Sequence, residues 1–114
     1  MQLSDTLLLA RTISEALRRV FSDRIDGISV YDIVEAPDHR AFKIKFCAYN
    51  YFILVFNYER DIIGISIDTG SQPIRLSKAK KTYSGGGLEE YLEEIKQEIE
   101  LRIPDKFLKA NGWL

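Results

Sequence analysis

The chain has 114 residues, of which 46% are hydrophobic and 29% are charged, and its formal net charge is −1. This size and composition exclude a disordered or fibrous protein and predict one folded domain over residues 1–114. The near-neutral charge argues against bulk electrostatic attraction to nucleic acid or to an anionic membrane, so binding of that kind would need a local basic patch.

The N-terminus and the cysteine content limit the class of protein further. The apolar run Leu7–Ala10 is preceded by Asp5 and followed by Arg11, which predicts neither a signal peptide nor a membrane span. Cys47 is the only cysteine, which excludes an internal disulfide and a cysteine-rich zinc site. These features predict a cytoplasmic protein.

The first predicted element is an amphipathic helix from Ser4 to Phe21, with Ser4 or Asp5 as its cap. Arg18 and Arg19 near its end suit the negative end of the helix dipole. Its apolar residues recur at helical spacing: Leu7, Leu8, Ala10, Ile13, Leu17, Val20 and Phe21.

Four β-rich runs follow, separated by connections of only three to six residues, which predicts antiparallel hairpins rather than parallel crossovers. A further short run at Ile74–Leu76 is a candidate edge strand. We therefore predict a four- to five-stranded antiparallel meander. The four runs are Ile28–Val34, Ala41–Cys47, Tyr51–Tyr58 and Ile62–Asp68.

The register of the hairpin between the second and third runs determines which side chains form the core. A three-residue turn with a left-handed Asn50 pairs Cys47 with Tyr51 and keeps the apolar set together, whereas a two-residue turn would split it. The predicted core face carries Phe42, Ile44, Phe46, Phe52, Leu54, Phe56, Ile63, Ile65 and Ile67.

The opposite face of the sheet then presents an apolar stripe formed by Tyr51, Ile53 and Val55. An uncovered apolar stripe on a sheet is typical of a contact surface. The sequence leaves open whether a loop or the C-terminal tail folds over it.

The second predicted helix, Leu88 to Ile103, is strongly acidic. Like charges four residues apart cost roughly a few tenths of a kcal/mol each, so the sequence is not optimised for the stability of this helix. Pro104 interrupts it, and a short terminal helix is predicted to start there and to end at Asn111-Gly112. The buried stripe is Leu88, Tyr91, Leu92, Ile95, Ile99 and Ile103, and the glutamates are Glu89, Glu90, Glu93, Glu94, Glu98 and Glu100. The prediction is an α+β fold, a two-layer α/β sandwich.

No motif in the sequence nominates a catalytic or metal site. The glycines at 85–87 lack the lysine and hydroxyl of a phosphate loop, and Glu89 and Glu90 would repel a phosphate, so the run is interpreted as a joint. His39 is the only histidine, and Cys47 has no histidine base beside it in sequence. We predict neither enzymatic activity nor a cofactor.

Three interpretations of the charge distribution remain open, two for the acidic helix and one for the basic segment. The acidic helix is either a solvated face or a surface complementary to a basic partner, with Tyr91 or a sheet tyrosine as an aromatic anchor. The alternative is a regulatory or nucleic-acid-associated module. It would use the basic segment, which consists of Arg75, Lys78, Lys80 and Lys81 with Tyr83.

The order of helix, antiparallel sheet and acidic helix, with the C-terminal sequence LRIPDKFLKANGW (Leu101–Trp113), resembles the small cytoplasmic immunity proteins of bacterial toxin systems, including contact-dependent growth inhibition. The resemblance implies a non-enzymatic antitoxin that binds a cognate toxin domain, often a nuclease. It implies no membrane partner and no small-molecule substrate. The expected toxin-binding residues are Glu90, Glu93, Glu94, Glu98 and Tyr91, with Tyr51, Ile53 and Val55 as a second, apolar contact.

Overall fold

The fold is α+β. In chain order, an N-terminal helix is followed by an antiparallel sheet and then by two further helices. The structure, a computed structural model, describes residues 5–76 and 81–114. A single 3-10 turn at 22–24 joins the first helix to the sheet. The elements are α1 (Asp5–Phe21), β1 (Ile25–Ala36), β2 (His39–Ala48), β3 (Phe52–Glu59), β4 (Ile62–Ile67), β5 (Ile74–Arg75), β6 (Lys81–Thr82), α2 (Leu88–Glu100) and α3 (Asp105–Ala110).

The sheet is the predicted meander, with strand order β1-β2-β3-β4-β5 and every neighbouring pair antiparallel. It has six strands rather than four or five, because the two-residue strand β6 also pairs with β4. Strand β1 extends beyond both predicted ends and has two irregularities in its pairing with β2. Gly27 (φ 66°) and Asp32 (φ 53°) adopt left-handed conformations at these positions, as β-bulges often require.

The predicted pairing of Cys47 with Tyr51 is wrong, since Cys47 pairs with Ile53 and Ala48 with Phe52. The turn does contain three residues and Asn50 is left-handed (φ 51°), but the turn is shifted by one residue to 49–51. Tyr49 lies in the turn in both registers, and the difference is that Ala48 belongs to β2, where it pairs with both Ile25 and Phe52. Because the register differs by two residues, every side chain stays on its predicted face.

The core lies between one face of the sheet and helices α1 and α2. The nine side chains predicted for that face are buried, apart from Phe52, which is partly buried and packs against the core. Leu8 of α1 is 44% exposed, whereas Thr6 and Ser14 are buried. Leu8 lies about 200° around the helix from both Thr6 and Ala10, so it points away from the sheet.

Helix α2 has the predicted buried stripe but ends at Glu100 rather than near Ile103. The N–H groups of Arg102 and Ile103 bond to carbonyls three residues earlier, at 2.9 and 3.2 Å, which tightens the chain out of α-helix geometry. Pro104 then follows, and the residue before a proline avoids the α conformation. Ile103 nevertheless remains buried in the core.

Candidate functional site

Helix α2 presents its glutamates to solvent because its apolar stripe faces the sheet. Gly86 (φ 77°) and Gly87 (φ 74°) turn the chain sharply before the helix, in agreement with the interpretation of the glycine run as a joint. Glu89 and Glu90 lie in the first turn, where the helix dipole favours negative charge. Glu98 and Glu100 lie in the last turn, where the helix dipole disfavours negative charge.

Three of the six glutamates are bound within the protein. Glu89 accepts a 2.8 Å hydrogen bond from the Arg19 guanidinium of α1, and Glu98 forms a 3.0 Å ion pair with Arg102. The half-buried Glu100 accepts a 2.5 Å hydrogen bond from the Tyr49 hydroxyl. The contacts of Glu98 and Glu100 offset the unfavourable effect of the helix dipole at the end of α2. Because Glu89, Glu98 and Glu100 already have partners within the protein, they contribute less than the other glutamates to the charge available for binding.

Glu90, Glu93 and Glu94 are exposed and lie together on the outer side of α2. Within the described ranges 5–76 and 81–114, no ion pair or hydrogen bond reaches their carboxylates. Three uncompensated charges within two helical turns create a concentrated negative potential. Of the predicted toxin-binding glutamates, the structure therefore brings three together and leaves Glu98 partly neutralised beside them.

An exposed leucine lies further along the same side of α2, about 10 Å beyond Glu94. Leu101 is 80% exposed, the largest exposed fraction of any large hydrophobic side chain in the part of the chain that the structure describes. Its N–H bonds to the carbonyl of Gln97 at 3.1 Å, so it continues the helical path of α2 by one residue. Leu101 therefore lies on the same side as Glu90 and Glu94, and we call Glu90, Glu93, Glu94 and Leu101 the acidic face.

Leu101 is not among the residues predicted to bind the partner, although it lies within the predicted helix Leu88 to Ile103. Its position seven residues after Glu94 is the available signal, since that spacing places two residues on one side of a helix. Tyr91, in contrast, is 8% exposed and belongs to the core, so its ring is not part of the acidic face.

The predicted apolar stripe is divided in the structure. Tyr51 lies in the β2–β3 turn, and its ring packs edge-on against Phe107 of α3, with 5.1 Å between ring centroids. Ile53 is 38% exposed and Val55 is half-buried, both on the sheet face opposite the core. The acidic face lies on the helical side of the molecule, so the structure does not bring Ile53 and Val55 together with the glutamates.

The basic segment is only partly within the described ranges, because Lys78 and Lys80 lie outside them. Arg75 is exposed on β5. The Lys81 ammonium donates a 2.8 Å hydrogen bond to the carbonyl of Gly86, and the Tyr83 ring packs on Tyr58 with 6.4 Å between centroids. Lys81 and Tyr83 thus make contacts within the protein that binding to a nucleic acid would have to displace.

The two residues with potential catalytic chemistry, His39 and Cys47, have separate surroundings. His39 Nε2 lies 2.9 Å from a carboxylate oxygen of Glu59, and Cys47 is a half-buried free thiol on β2. Among residues 5–76 and 81–114, no group of three or more His, Cys, Asp or Glu side chains is arranged to hold a metal ion. No helix in these ranges is long and apolar enough to cross a membrane.

Comparison with known proteins adds no assignment to this geometry. No protein-family model matches the chain, and no curated protein or solved structure matches it either. Any function proposed for the acidic face therefore rests on its own residues and on their chemistry.

Proposed function

We propose that the chain is a non-enzymatic immunity protein of the cytoplasm that neutralises a cognate toxin domain by binding it through the acidic face. The observation that carries this proposal is the concentration of Glu90, Glu93 and Glu94, which have no hydrogen-bond or ion-pair partner in the described part of the protein, with the 80% exposed Leu101 about two turns further along the same side of α2. A solvated helix gains stability from alternating charges, whereas a binding surface gains specificity from charge of one sign.

The chemistry of such a face indicates the kind of toxin. A nuclease holds its substrate in a groove lined with lysine and arginine, because phosphate contacts supply most of the affinity for nucleic acid. Glu90 and Glu94 lie one helical turn apart and can pair with two such cations, which would accelerate encounter and fix orientation. The bound immunity protein would then occupy the groove that the substrate needs.

Leu101 supplies binding affinity that the charged residues alone do not. Exposed ion pairs contribute little net affinity, and the strongest contributions at interfaces come from side chains that fill a pocket and exclude water. A leucine about two helical turns beyond Glu94 on the same side is suited to an apolar pocket beside a basic surface. Glu93 lies to one side of this arrangement and would contact the rim.

Ile53 and Val55 form a separate surface under this proposal. A partner bound at the acidic face reaches them only by wrapping around the edge of the sheet, since they lie on its opposite side. We therefore assign the primary toxin contact to α2 and treat the sheet contact as secondary.

The salt dependence of binding tests the electrostatic part of the proposal. Tagged protein would be used to isolate its partner from the native host, and the affinity of the purified pair would be measured at increasing ionic strength. The proposal predicts a basic protein partner whose association rate falls steeply as salt rises. A partner whose association rate is independent of salt would contradict the role of the glutamates, and recovery of nucleic acid would favour the basic segment instead.

A further inference from the structure

The sheet face opposite the core contains a groove of which the immunity proposal uses only Val55, at one side. Three adjoining concavities meet at Asn57, and the largest, of about 560 Å³, lies between strands β3 and β4 and the segment Pro73–Arg75. Asn57 is directly opposite Gly64 in the pairing of β3 with β4. Because Gly64 has no side chain, the floor of the groove is low at this point.

Several charges around this groove are already paired. Lys43 forms a 3.6 Å ion pair with Asp32, and Lys45 forms a 3.6 Å ion pair with Asp68. The carboxylate of Glu59, which lines the largest concavity, lies 2.9 Å from the His39 ring. The two lysine pairs leave little net charge in the part of the groove that they line, whereas the contact with His39 cancels the charge of Glu59 only when the imidazole is protonated.

Arg60 and Arg75 differ from Lys43 and Lys45 in having no ion pair within the described ranges. Both are exposed and both line the largest concavity, Arg60 from the β3–β4 turn and Arg75 from β5, where it pairs with Ser66. Within the ranges that the structure describes, no ion pair or side-chain hydrogen bond involves either guanidinium. A chain with a net charge of −1 thus places two cations without an ion-pair partner at one concave site, which the carboxylate of Glu59 also lines.

We propose that this groove is a binding site for a phosphate monoester of a small organic molecule. A phosphate monoester carries about 1.5 to 2 negative charges at neutral pH and has three acceptor oxygens, which matches two guanidinium groups. Each guanidinium can bind a phosphate through two parallel N–H···O bonds. A single carboxylate would satisfy only one of them.

The rest of the lining suits the organic part of such a ligand. The Ser66 hydroxyl and the Asn57 amide offer hydrogen-bonding groups on the floor, and Ile62, which is 37% exposed, and Pro73 offer apolar surface. The volume is within the range of small-molecule sites. No sequence motif signals this site, because Arg60 lies in the β3–β4 turn and Arg75 on β5, and only the sheet brings both to the lining of one concavity.

Titration with phenyl phosphate, followed by NMR of the backbone amides, tests the inference. The amide signals of residues 57–66 and of Ile74 and Arg75 should shift with saturation, and neutral phenol and the monoanion benzoate should bind more weakly. In R60Q/R75Q the affinity should fall at least about tenfold, because two charge-assisted contacts are lost. Both residues are exposed, so this variant keeps the fold.

A matched variant removes two positive charges outside the groove. R18Q/K109Q should change the affinity for phenyl phosphate by less than about twofold, since exposed charges away from the ligand are screened by salt. Equal losses in the two double variants, or shifts outside the groove, would overturn the site. A phosphoserine peptide that binds more tightly than phenyl phosphate would overturn the small-molecule class. None of these outcomes bears on toxin binding by α2.

Discussion

The hydroxyl of Tyr49 donates a 2.5 Å hydrogen bond to the carboxylate of Glu100, which joins the turn between β2 and β3 to the last turn of α2. The Tyr49 ring is fully buried and packs edge-on against Trp113, with 5.3 Å between ring centroids. Its backbone N–H also bonds to the carbonyl of Arg24. One side chain therefore positions the end of the acidic helix relative to the sheet.

Removal of this hydroxyl should destabilise the protein. In Tyr49→Phe the half-buried carboxylate of Glu100 loses its donor, and a buried acceptor without a partner costs about 1–3 kcal/mol. Urea unfolding followed by circular dichroism measures the change. Tyr51→Phe is the control, since Tyr51 is 44% exposed, and it should change stability by less than about 0.5 kcal/mol. Equal stability of Y49F and the wild type would show that the hydrogen bond has no net role.

Alkaline pH should weaken the fold through the same residue. Burial, the hydrogen bond to Glu100 and the charge of Glu100 raise the pKa of Tyr49, and burial and Asp61 raise the pKa of Tyr58. The unfolded chain therefore loses these protons at lower pH than the folded protein does, and deprotonation favours unfolding. The stabilisation is fully present below the ordinary tyrosine pKa of about 10 and is lost as the pH rises above that value.

Unfolding free energies of the wild type and Y49F between about pH 8 and pH 12 test this prediction. The stability of the wild type should fall more steeply above about pH 10 than that of Y49F, in which Tyr58 still contributes a decline. Parallel curves for the two proteins would contradict the raised pKa of Tyr49.

The ion pair between Arg19 and Glu89 should contribute little to stability although it joins α1 to α2. Both side chains are 58% exposed, so water and salt screen the 2.8 Å contact. A double-mutant cycle with R19A and E89A should give a coupling energy of about 0.2–1 kcal/mol that falls as salt is added. A larger coupling that is insensitive to salt would mean that the pair is buried in solution.

Leu101 and Leu92 should behave in opposite ways. Leu92 is fully buried, and L92A should cost about 2–5 kcal/mol because it leaves a cavity. Leu101 is 80% exposed, so L101A should change stability by less than about 0.5 kcal/mol while, under the proposal, weakening the binding of the partner. Thermal unfolding separates the two variants, and a strongly destabilised L101A would place Leu101 in the core.

The sequence predicts the core face well, because side chains alternate along a strand and the helix period is regular. Phe42, Ile44 and Leu54 occupy their predicted face even though the hairpin register is shifted by two residues. The register itself has no such signal, and neither does the burial of Tyr49 in the turn. Its partners Glu100 and Trp113 are far along the chain.

The candidate site was only partly predictable. The charges of α2 are visible in the sequence, but which of them remain free depends on contacts between distant residues. Arg19 lies 70 residues from Glu89 and Tyr49 lies 51 from Glu100, so only the fold shows that these glutamates are bound. The same holds for Arg60 and Arg75, which the sheet brings to one groove.

Partner recovery by charge-reversed protein tests the central claim most directly. Tagged wild type, E90K/E93K/E94K and the matched control E15K/D26K/D38K would be incubated with the purified partner, and the bound fraction would be measured. Both variants carry the same change in net charge, and circular dichroism would confirm that each is folded. The account predicts that the control retains the partner and that E90K/E93K/E94K loses it. Retention of the partner by a folded E90K/E93K/E94K would contradict it.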